Sequence, residues 1–250
     1  MQYEVRFSAL IAATLALTAP GSAAEIRVLS ANALNIAERN LAADFTKEKG
    51  QQVNLVFGSP SQVEQRLKAG EAYDVVIMPA EAAAAHDRDW RPGSRHPFAR
   101  VGIGLAVREG SKLDLSTVES TRKALLEARS IAVSDSSTGG LSGPNALKVL
   151  ANLGIADAVK PKLLLSASGQ EQIAKGEVDI GLFNVSEIPR AKGVVMAGSV
   201  PAAVQVYINY DAAIPAASTA VEPALALLKY FTAPSARARW QAAGLELAGD

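Results

Sequence analysis

Four clusters of small polar residues have the residue types and the spacing that a ligand-binding site needs. They begin at Ser30, Gly58, Ser134 and, in the weakest example, Asn184. Each follows a short apolar run that predicts a strand, and each leads into a helical pattern. Serine, threonine and asparagine donate hydrogen bonds without carrying charge, and glycine lets a ligand approach the backbone. These clusters favour the binding of a small anion by neutral donors.

The position of the clusters before helices strengthens this interpretation. Helix N-termini carry unpaired N–H groups and a partial positive charge, so several of them together bind an anion without arginine or lysine. In an open α/β sheet such junctions lie at the carboxyl ends of the strands, where ligands bind. The same residue types are also ordinary helix caps and turns, which is the simpler explanation for any single cluster. Because the pattern recurs along the chain, we give a binding site and simple helix capping equal weight.

Motifs for catalysis are scarce. The chain has no cysteine, which excludes disulfides, cysteine zinc sites, iron–sulfur clusters and cysteine nucleophiles. His86 and His96 lie in a charged segment that we interpret as a solvated loop, and we expect no metal site there. Residues 140–143 lack the spacing of a G-x-S-x-G elbow, so we interpret Ser142 as a helix cap or a ligand contact. No phosphate-binding loop motif occurs, and we expect no cofactor.

Composition narrows the choice of partner. The 250 residues include 25 Lys and Arg against 25 Asp and Glu, so the formal net charge is zero. Balanced charge without a basic stripe argues against a nucleic-acid or anionic-membrane partner. The length allows one or two domains and a core large enough to need no disulfide or structural metal.

Residues 1–24 have the pattern of a secretory signal peptide. Arg6 precedes an apolar run over residues 7–17, and Ser22-Ala23-Ala24 forms a small-residue cleavage site. The apolar run is too short to span a bilayer, which takes about 20 apolar residues. We expect cleavage after Ala24 and an exported, soluble product.

The elements that must position the polar clusters alternate along the chain. Apolar runs predict strands over residues 26–29, 53–57, 74–78, 101–107, 131–133, 163–165, 180–183, 194–197 and 204–210. Helical spacing predicts helices over residues 34–49, 62–69, 118–128, 144–153, 171–175, 221–231 and 235–243. This alternation predicts an α/β fold with parallel sheets that are covered on both faces.

These segments resemble a known family. The runs that carry the resemblance are Ile26–Leu34, Phe57–Ser61, Asp74–Ile77, Ile131–Gly140 and Ile180–Glu187. Together they resemble the periplasmic solute-binding proteins of bacterial ABC transporters, above all the molybdate-binding proteins. Val101–Arg108 and Ser134–Ser136 are more similar to a divergent branch, which also resembles aconitate isomerase.

The resemblance implies a type II periplasmic binding protein fold, in which two α/β lobes are joined by hinge strands. Residues 25–100 with 207–250 would form the first lobe and residues 101–206 the second. It also implies a periplasmic monomer that binds a small anionic ligand in the cleft, either an oxyanion or an organic acid. The implied partner is an inner-membrane ABC permease.

The resemblance further implies which residues contact the ligand. Molybdate-binding proteins have a serine where this chain has Ala33 and another where it has Pro60, which Ser59 and Ser61 flank, so two hydroxyl donors are missing or displaced by one residue. The full set of implied contacts is Asn32, Ala33, Ser59, Pro60, Ser61, Thr138, Gly139, Gly140, Asn184 and Tyr207.

An alternative function is a periplasmic isomerase of a tricarboxylic acid, similar to aconitate isomerase. Such an enzyme needs a proton acceptor near the cleft, and the candidates are Glu187, Asp135 or a tyrosine.

Overall fold

The computed structural model describes residues 25–137 and 139–249, so the predicted signal peptide and Thr138 lie outside the described residues. Within these residues the chain forms eleven strands. They are β1 Ile26–Ala31, β2 Val53–Gly58, β3 Val75–Pro79, β4 His96–Val101, β5 Ile103–Arg108, β6 Ile131–Ser134, β7 Leu163–Ser166, β8 Ile180–Asn184, β9 Val194–Ser199, β10 Ile208–Ala213 and β11 Glu246–Leu247.

Nine α-helices connect the strands of this part of the chain. They are α1 Asn35–Lys49, α2 Pro60–Lys68, α3 Ala80–Ala85, α4 Val118–Glu127, α5 Ser142–Asn152, α6 Ala156–Val159, α7 Gly169–Lys175, α8 Val221–Phe231 and α9 Arg237–Ala242. Short 3₁₀ helices cover Asn32–Leu34, Lys160–Lys162, Val185–Arg190, Ala202–Val204 and Pro234–Ala236. Each described helix is too short or too polar to cross a lipid bilayer.

The strands form two sheets. The first has the order β11-β4-β10-β3-β1-β2, and the second has the order β7-β6-β8-β5-β9. All strands of the second sheet come from residues 103–199, whereas the first sheet combines strands from both ends of the chain. The predicted lobes, 25–100 with 207–250 and 101–206, are compatible with this division, and their boundaries stay a prediction.

Both sheets are mixed, and the expectation of purely parallel sheets was wrong in this respect. Strands β1, β2 and β3 are parallel, as are β6, β7 and β8, while β10 runs antiparallel to β3 and β4, and β5 to β8 and β9. Parallel neighbours need a long crossover connection, usually a helix. The parallel strands of each sheet are joined in this way, by α1 and α2 in the first sheet and by α5, α6 and α7 in the second.

The sequence prediction missed strand β4. The single strand predicted over residues 101–107 is two strands that belong to different sheets, separated by Gly102. His96, expected in a loop, is the first residue of β4. The polar residues of β4 and Pro97 hide its pattern, because only three of its six residues are buried.

Each sheet packs helices on both faces, as the alternation predicts. One face of the first sheet buries Phe98, Phe231 and Trp240, and the other face buries Val63, Tyr73 and Trp90. The second sheet has corresponding apolar layers, one with Leu125, Val149 and Leu150 and the other with Ile173 and Phe183. The predicted α/β architecture of two covered sheets is confirmed.

One glutamine holds the two chain segments that cross between the sheets. Gln205, just before β10, accepts a hydrogen bond from the Ile103 N–H at 2.7 Å and donates one to the Ile103 carbonyl at 2.8 Å. A Cβ on Gly102 would lie 2.8 Å from Gln205 Nε2. Gly102 therefore leaves room for the amide that ties β5 to the returning segment.

We expect Gly102→Ala and Gln205→Ala to destabilise the protein through the same contact. Each change removes the amide from Ile103 and leaves backbone groups unpaired, which costs about 1–3 kcal/mol. The double variant should be no less stable than Gln205→Ala alone, because groups that act through one contact are not additive. Urea unfolding measures this, with Gly140→Ala as a control in which the new Cβ meets no atom within 4 Å. Additive losses in the double variant would contradict the interpretation.

Candidate functional site

A cavity of ≈ 380 Å³ lies between the two sheets and is lined by residues that follow the carboxyl ends of their parallel strands. Asn32 and Ser59 follow β1 and β2 of the first sheet. The loops after β6, β7 and β8 line the opposite side. Its volume is within the range of about 300–1,000 Å³ that is usual for small-molecule sites.

The first-sheet side presents neutral groups. Ser59 is the N-cap of α2, and its N–H donates to Gln62 Oε1 at 2.8 Å while its Oγ lies 3.1 Å from Ser61 Oγ. Pro60 occupies the first position of the helix and has no N–H to donate. Ala33 lies in the 3₁₀ helix after β1 and is 7% exposed. Serine at positions 33 and 60 would supply two hydroxyl donors and, at position 60, a backbone N–H. With alanine and proline there, this side of the cavity has fewer hydrogen-bond donors.

The loop after β6 brings the N-terminus of α5 to the cavity. A Cβ on Gly143 would lie 2.1 Å from the Ser134 carbonyl oxygen, so only glycine lets the helix pack this closely on the end of β6. Ser142, the first residue of α5, accepts a hydrogen bond from the Asn184 N–H at 2.9 Å. This contact joins the ends of β6 and β8.

Asp135 in the same loop is held by its neighbour. Its carboxyl accepts hydrogen bonds from Ser137 N–H at 2.9 Å and from Ser137 Oγ at 2.8 Å. These bonds, the backbone one first, lower the pKa of Asp135 below its ordinary value. A carboxylate held in this way is poorly suited to accept a proton near neutral pH.

The loops after β7 and β8 supply side-chain amides and a carboxyl. Asn184 Nδ2 donates to Glu187 Oε1 at 3.2 Å, and Gln170 Nε2 donates to the Glu187 carbonyl at 2.7 Å. All three residues line the cavity. Glu187 is thus positioned by two amides from different loops.

A buried acid lies behind Tyr210, one of the residues that line the cavity. Glu38 on α1 is fully buried and accepts a hydrogen bond from Ser30 Oγ at 2.8 Å. Burial raises the pKa of Glu38 from 4.5 to about 8, against the opposing effect of the Ser30 hydrogen bond. Burial also raises the pKa of Tyr210, and the carboxyls of Glu187 and Glu38 add to this.

The structure brings most of the predicted contacts together. Those that line the cavity are Asn32, Ala33, Ser59, Pro60, Gly140 and Asn184. Ser61 and Gly139 meet across the cleft, since a Cβ on Gly139 would lie 2.1 Å from Ser61 Oγ. Thr138 lies outside the described residues. That these residues bind a ligand stays a prediction.

Tyr207 does not belong with them, and its assignment to the site is corrected here. Its ring stacks under Arg100, whose guanidinium carbon lies 4.4 Å from the ring centre, on the far side of the segments that join the sheets. Tyr210 lines the cavity in its place. The two residues are three apart along an extended segment, so their side chains point to opposite faces.

The sequence prediction also missed Gln170 and the rest of the loop after β7. A signal was present, because Leu163–Leu165 is followed by Ser166-Ala167-Ser168-Gly169 and then by α7. This is the same change from apolar strand to small polar residues that marks the other junctions. Among the described residues, no group of three or more histidine, aspartate or glutamate side chains is placed to hold a metal ion.

Comparisons with known proteins agree with this geometry. A family model described as bacterial extracellular solute-binding protein matches residues 26–246. An aconitate isomerase from a Pseudomonas species is 26% identical over 95% of this chain and 94% of its own length. The molybdate-binding protein of Azotobacter vinelandii is 27% identical over 88% of this chain and 89% of its own.

The fold has solved counterparts. The substrate-binding domain of a putative molybdenum ABC transporter from Clostridium difficile superposes with a TM-score of 0.75 at 17% identity, covering 89% of this chain and 98% of that one. The two-sheet architecture of this chain is therefore that of the type II periplasmic binding proteins, as the sequence resemblance implied.

We expect Glu38 to make stability depend on pH. Its pKa is higher in the folded protein, about 8, than the ordinary 4.5, so its contribution is fully present below pH 4.5 and is lost as the pH rises through 8. Between these pH values the free energy of unfolding should fall by roughly 3–5 kcal/mol because of Glu38, and Glu38→Gln should abolish this part of the decrease. Urea unfolding at pH 5 and pH 8 measures the difference, and Glu119→Gln, which removes an exposed carboxyl, is the control. A pH profile parallel to that of the unchanged protein would refute the assignment.

We expect Gly139→Ala to hold the cleft more open, because the new methyl would overlap Ser61. Gly154→Ala is the matched control: both glycines have positive φ, 75° and 67°, but Gly154 has no atom within 4 Å of a new Cβ. Adding Ser61→Gly should relieve the overlap. Electron-paramagnetic distance measurement between spin labels on cysteines introduced at Gln65 and Ser168 reports the opening. An equal change in both alanine variants would indicate backbone strain instead.

Proposed function

Because the chain belongs to the bacterial extracellular solute-binding protein family, we propose that it binds a small organic acid in the cleft and delivers it to an ABC permease. The exported, periplasmic location suggested by residues 1–24 is part of this proposal, as is a monomeric state. Membership of this family supports the role of a binding protein, and the residues that line the cavity support a small organic acid as the ligand.

The observation that carries the proposal is the convergence of strand ends from both sheets on one cavity. The N-termini of α2 and α5 and the hydroxyls of Ser59, Ser134 and Ser142 line it. Among the described residues, no lysine or arginine does so. An anion would therefore be held by helix N-termini and neutral donors, as the polar clusters in the sequence suggest.

The energies are sufficient for useful affinity. Micromolar binding takes about 8 kcal/mol. Hydrogen bonds to a charged ligand contribute about 1.5–3 kcal/mol each, and a partly buried helix N-terminus adds up to ~2 kcal/mol. A few such contacts, closed off from water by the approach of Ser61 and Gly139, supply this amount.

The size and the donors favour an organic acid over a metal oxyanion. A tetrahedral oxyanion presents its oxygens at short radius and needs close neutral donors on every side. Ala33 offers no side-chain donor and Pro60 offers neither a hydroxyl nor an N–H. The cavity of ≈ 380 Å³ has room for a ligand of several carbon atoms.

Isomerisation of a tricarboxylic acid is the alternative activity, and the aconitate isomerase relative is its main support. Asp135 is tied to Ser137, and burial moves the pKa of Tyr210 away from that of a useful base. Glu187, which lines the cavity as Asp135 and Tyr210 do, is the remaining candidate base. Chromatography of cis- and trans-aconitate after incubation with the protein separates the two functions, since only an isomerase interconverts them.

A calorimetric comparison of molybdate with small carboxylates on the mature protein tests the proposal. We expect carboxylates to bind with micromolar affinity and molybdate to bind at least a hundredfold more weakly, because two missing donors cost about 3–6 kcal/mol. The Ala33→Ser, Pro60→Ser double variant should gain molybdate affinity. Ala85→Ser, on α3 and away from the cavity, is the control. Sub-micromolar binding of molybdate to the unchanged protein would refute the choice of ligand class.

A further inference from the structure

We propose that the cavity takes a monocarboxylate with an apolar body, an aliphatic or aromatic acid, and that Leu141 selects it. This inference rests on the proposed function, since it concerns the ligand of the same cavity. It goes further by naming which organic acids fit and which side chain distinguishes them.

One wall of the cavity is apolar. Ala33, Ile208 and Tyr210 line the cavity and also belong to the apolar core of the first sheet, in which each is at most 7% exposed. Leu141 lines the cavity too and packs against the same core, although it lies between β6 and α5. These four residues, which we call the apolar wall, are parts of one cluster that extends across the cleft.

Leu141 occupies a position where a helix favours a polar side chain. It is the N-cap of α5, and its carbonyl accepts a hydrogen bond from the Asn145 N–H at 3.1 Å. Serine, threonine, aspartate and asparagine are the favoured N-caps, because their side chains bond to the first turn, whereas a leucine side chain cannot. A residue that is unfavourable for its helix and lines the cavity is best explained by a role toward the ligand.

The helix start that carries Leu141 also provides a place for one carboxylate. The first N–H groups of a helix have no partner within the helix, and the Leu141 side chain does not satisfy them. Ser142, the first residue of α5, lines the cavity next to Leu141. A carboxylate is favoured at this N-terminus. The same helix start therefore presents a carboxylate site beside an apolar side chain.

A second charged group on the ligand would be unfavourable in this cavity. Placing an ionised carboxylate against apolar side chains costs free energy unless the carboxylate is paired. Asp135 also lines the cavity, and its carboxyl accepts hydrogen bonds from the Ser137 N–H and Oγ. Because a carboxylate accepts but does not donate, Asp135 repels a second carboxylate of the ligand. An acid with one carboxylate and a hydrocarbon chain or ring avoids both costs.

Matched acids test this by calorimetry on the mature protein. Butyrate has a methyl group where succinate has a second carboxylate, valerate differs from glutarate in the same way, and benzoate lacks one carboxylate of phthalate. We expect the monocarboxylate of at least one pair to bind at least about tenfold more tightly. In the series from propionate to hexanoate, affinity should rise about fourfold with each CH₂ group that contacts the apolar wall.

Leu141→Ser assigns the effect to Leu141. The variant removes apolar surface from the cavity but gives α5 a favoured N-cap, so the helix start is retained. The preference should fall below about threefold, whereas Leu141→Met, which stays apolar and similar in volume, should keep it. Leu147→Ser is the matched control, because Leu147 lies on the same helix, is 40% exposed and is not among the described residues that line the cavity. Thermal unfolding confirms that the variants are folded, and Leu141→Ala replaces Leu141→Ser if the latter is not.

The outcomes are distinct. Equal binding within every pair, or tighter binding of the dicarboxylates, overturns the inference and leaves the proposed function standing. The acid pairs and the chain-length series use the unchanged protein, so they decide the class of ligand whether or not a variant folds. A preference that survives the loss of Leu141, or that falls equally in Leu147→Ser, overturns the role of Leu141. Failure of every acid and of molybdate to bind overturns the proposed function, and this inference with it.

Discussion

The parallel pairing of β1 with β2, and of β6 with β7 and β8, determines where the residues of the candidate site lie. Parallel strands end at the same edge of a sheet, so the loops that follow them are brought together without any specific contact between them. Because the two sheets place these edges opposite each other, five loops that are distant in sequence surround one cavity. The helix N-termini and hydroxyls could act together on the proposed ligand only because of this arrangement.

Some buried polar groups around the cavity lack hydrogen-bond partners, which lowers the free energy of unfolding. Glu38 Oε2, Asn184 Oδ1 and Gln170 Oε1 are all buried without a hydrogen-bond partner. Buried polar atoms are nearly always paired in native proteins, so exceptions call for an explanation. These three belong to the cavity lining or to the layer behind Tyr210, and the fourth such atom among the described residues, Ser186 Oγ, lies in the 3₁₀ helix after β8. The unpaired groups are therefore concentrated where a ligand is proposed to bind.

Much of the fold and part of the site follow from the sequence, for local reasons. An apolar strand that ends in small polar residues is a local pattern, and it located Asn32, Ser59 and Asn184 correctly beside the cavity. Tyr207 was misplaced because the resemblance was loose there, and a shift of three residues along a strand changes the face. Gln170 and Glu187 reach the cavity with long side chains, whose direction depends on the packing of α7 and of the 3₁₀ helix after β8. Strand β4 was missed because its partners, β10 and β11, are more than a hundred residues away.

The division of the first sheet between the two ends of the chain has a consequence for how the protein is made. Among the described strands, β4 pairs only with β10 and β11, which follow it by more than a hundred residues in the sequence. The second sheet draws all its strands from residues 103–199, so its pairings close shorter loops. Contacts between residues far apart in the sequence form slowly, because closing the long loop between them costs conformational entropy before the contact stabilises the chain. We therefore expect the second sheet to form before the first, and the cavity between the two sheets to form last.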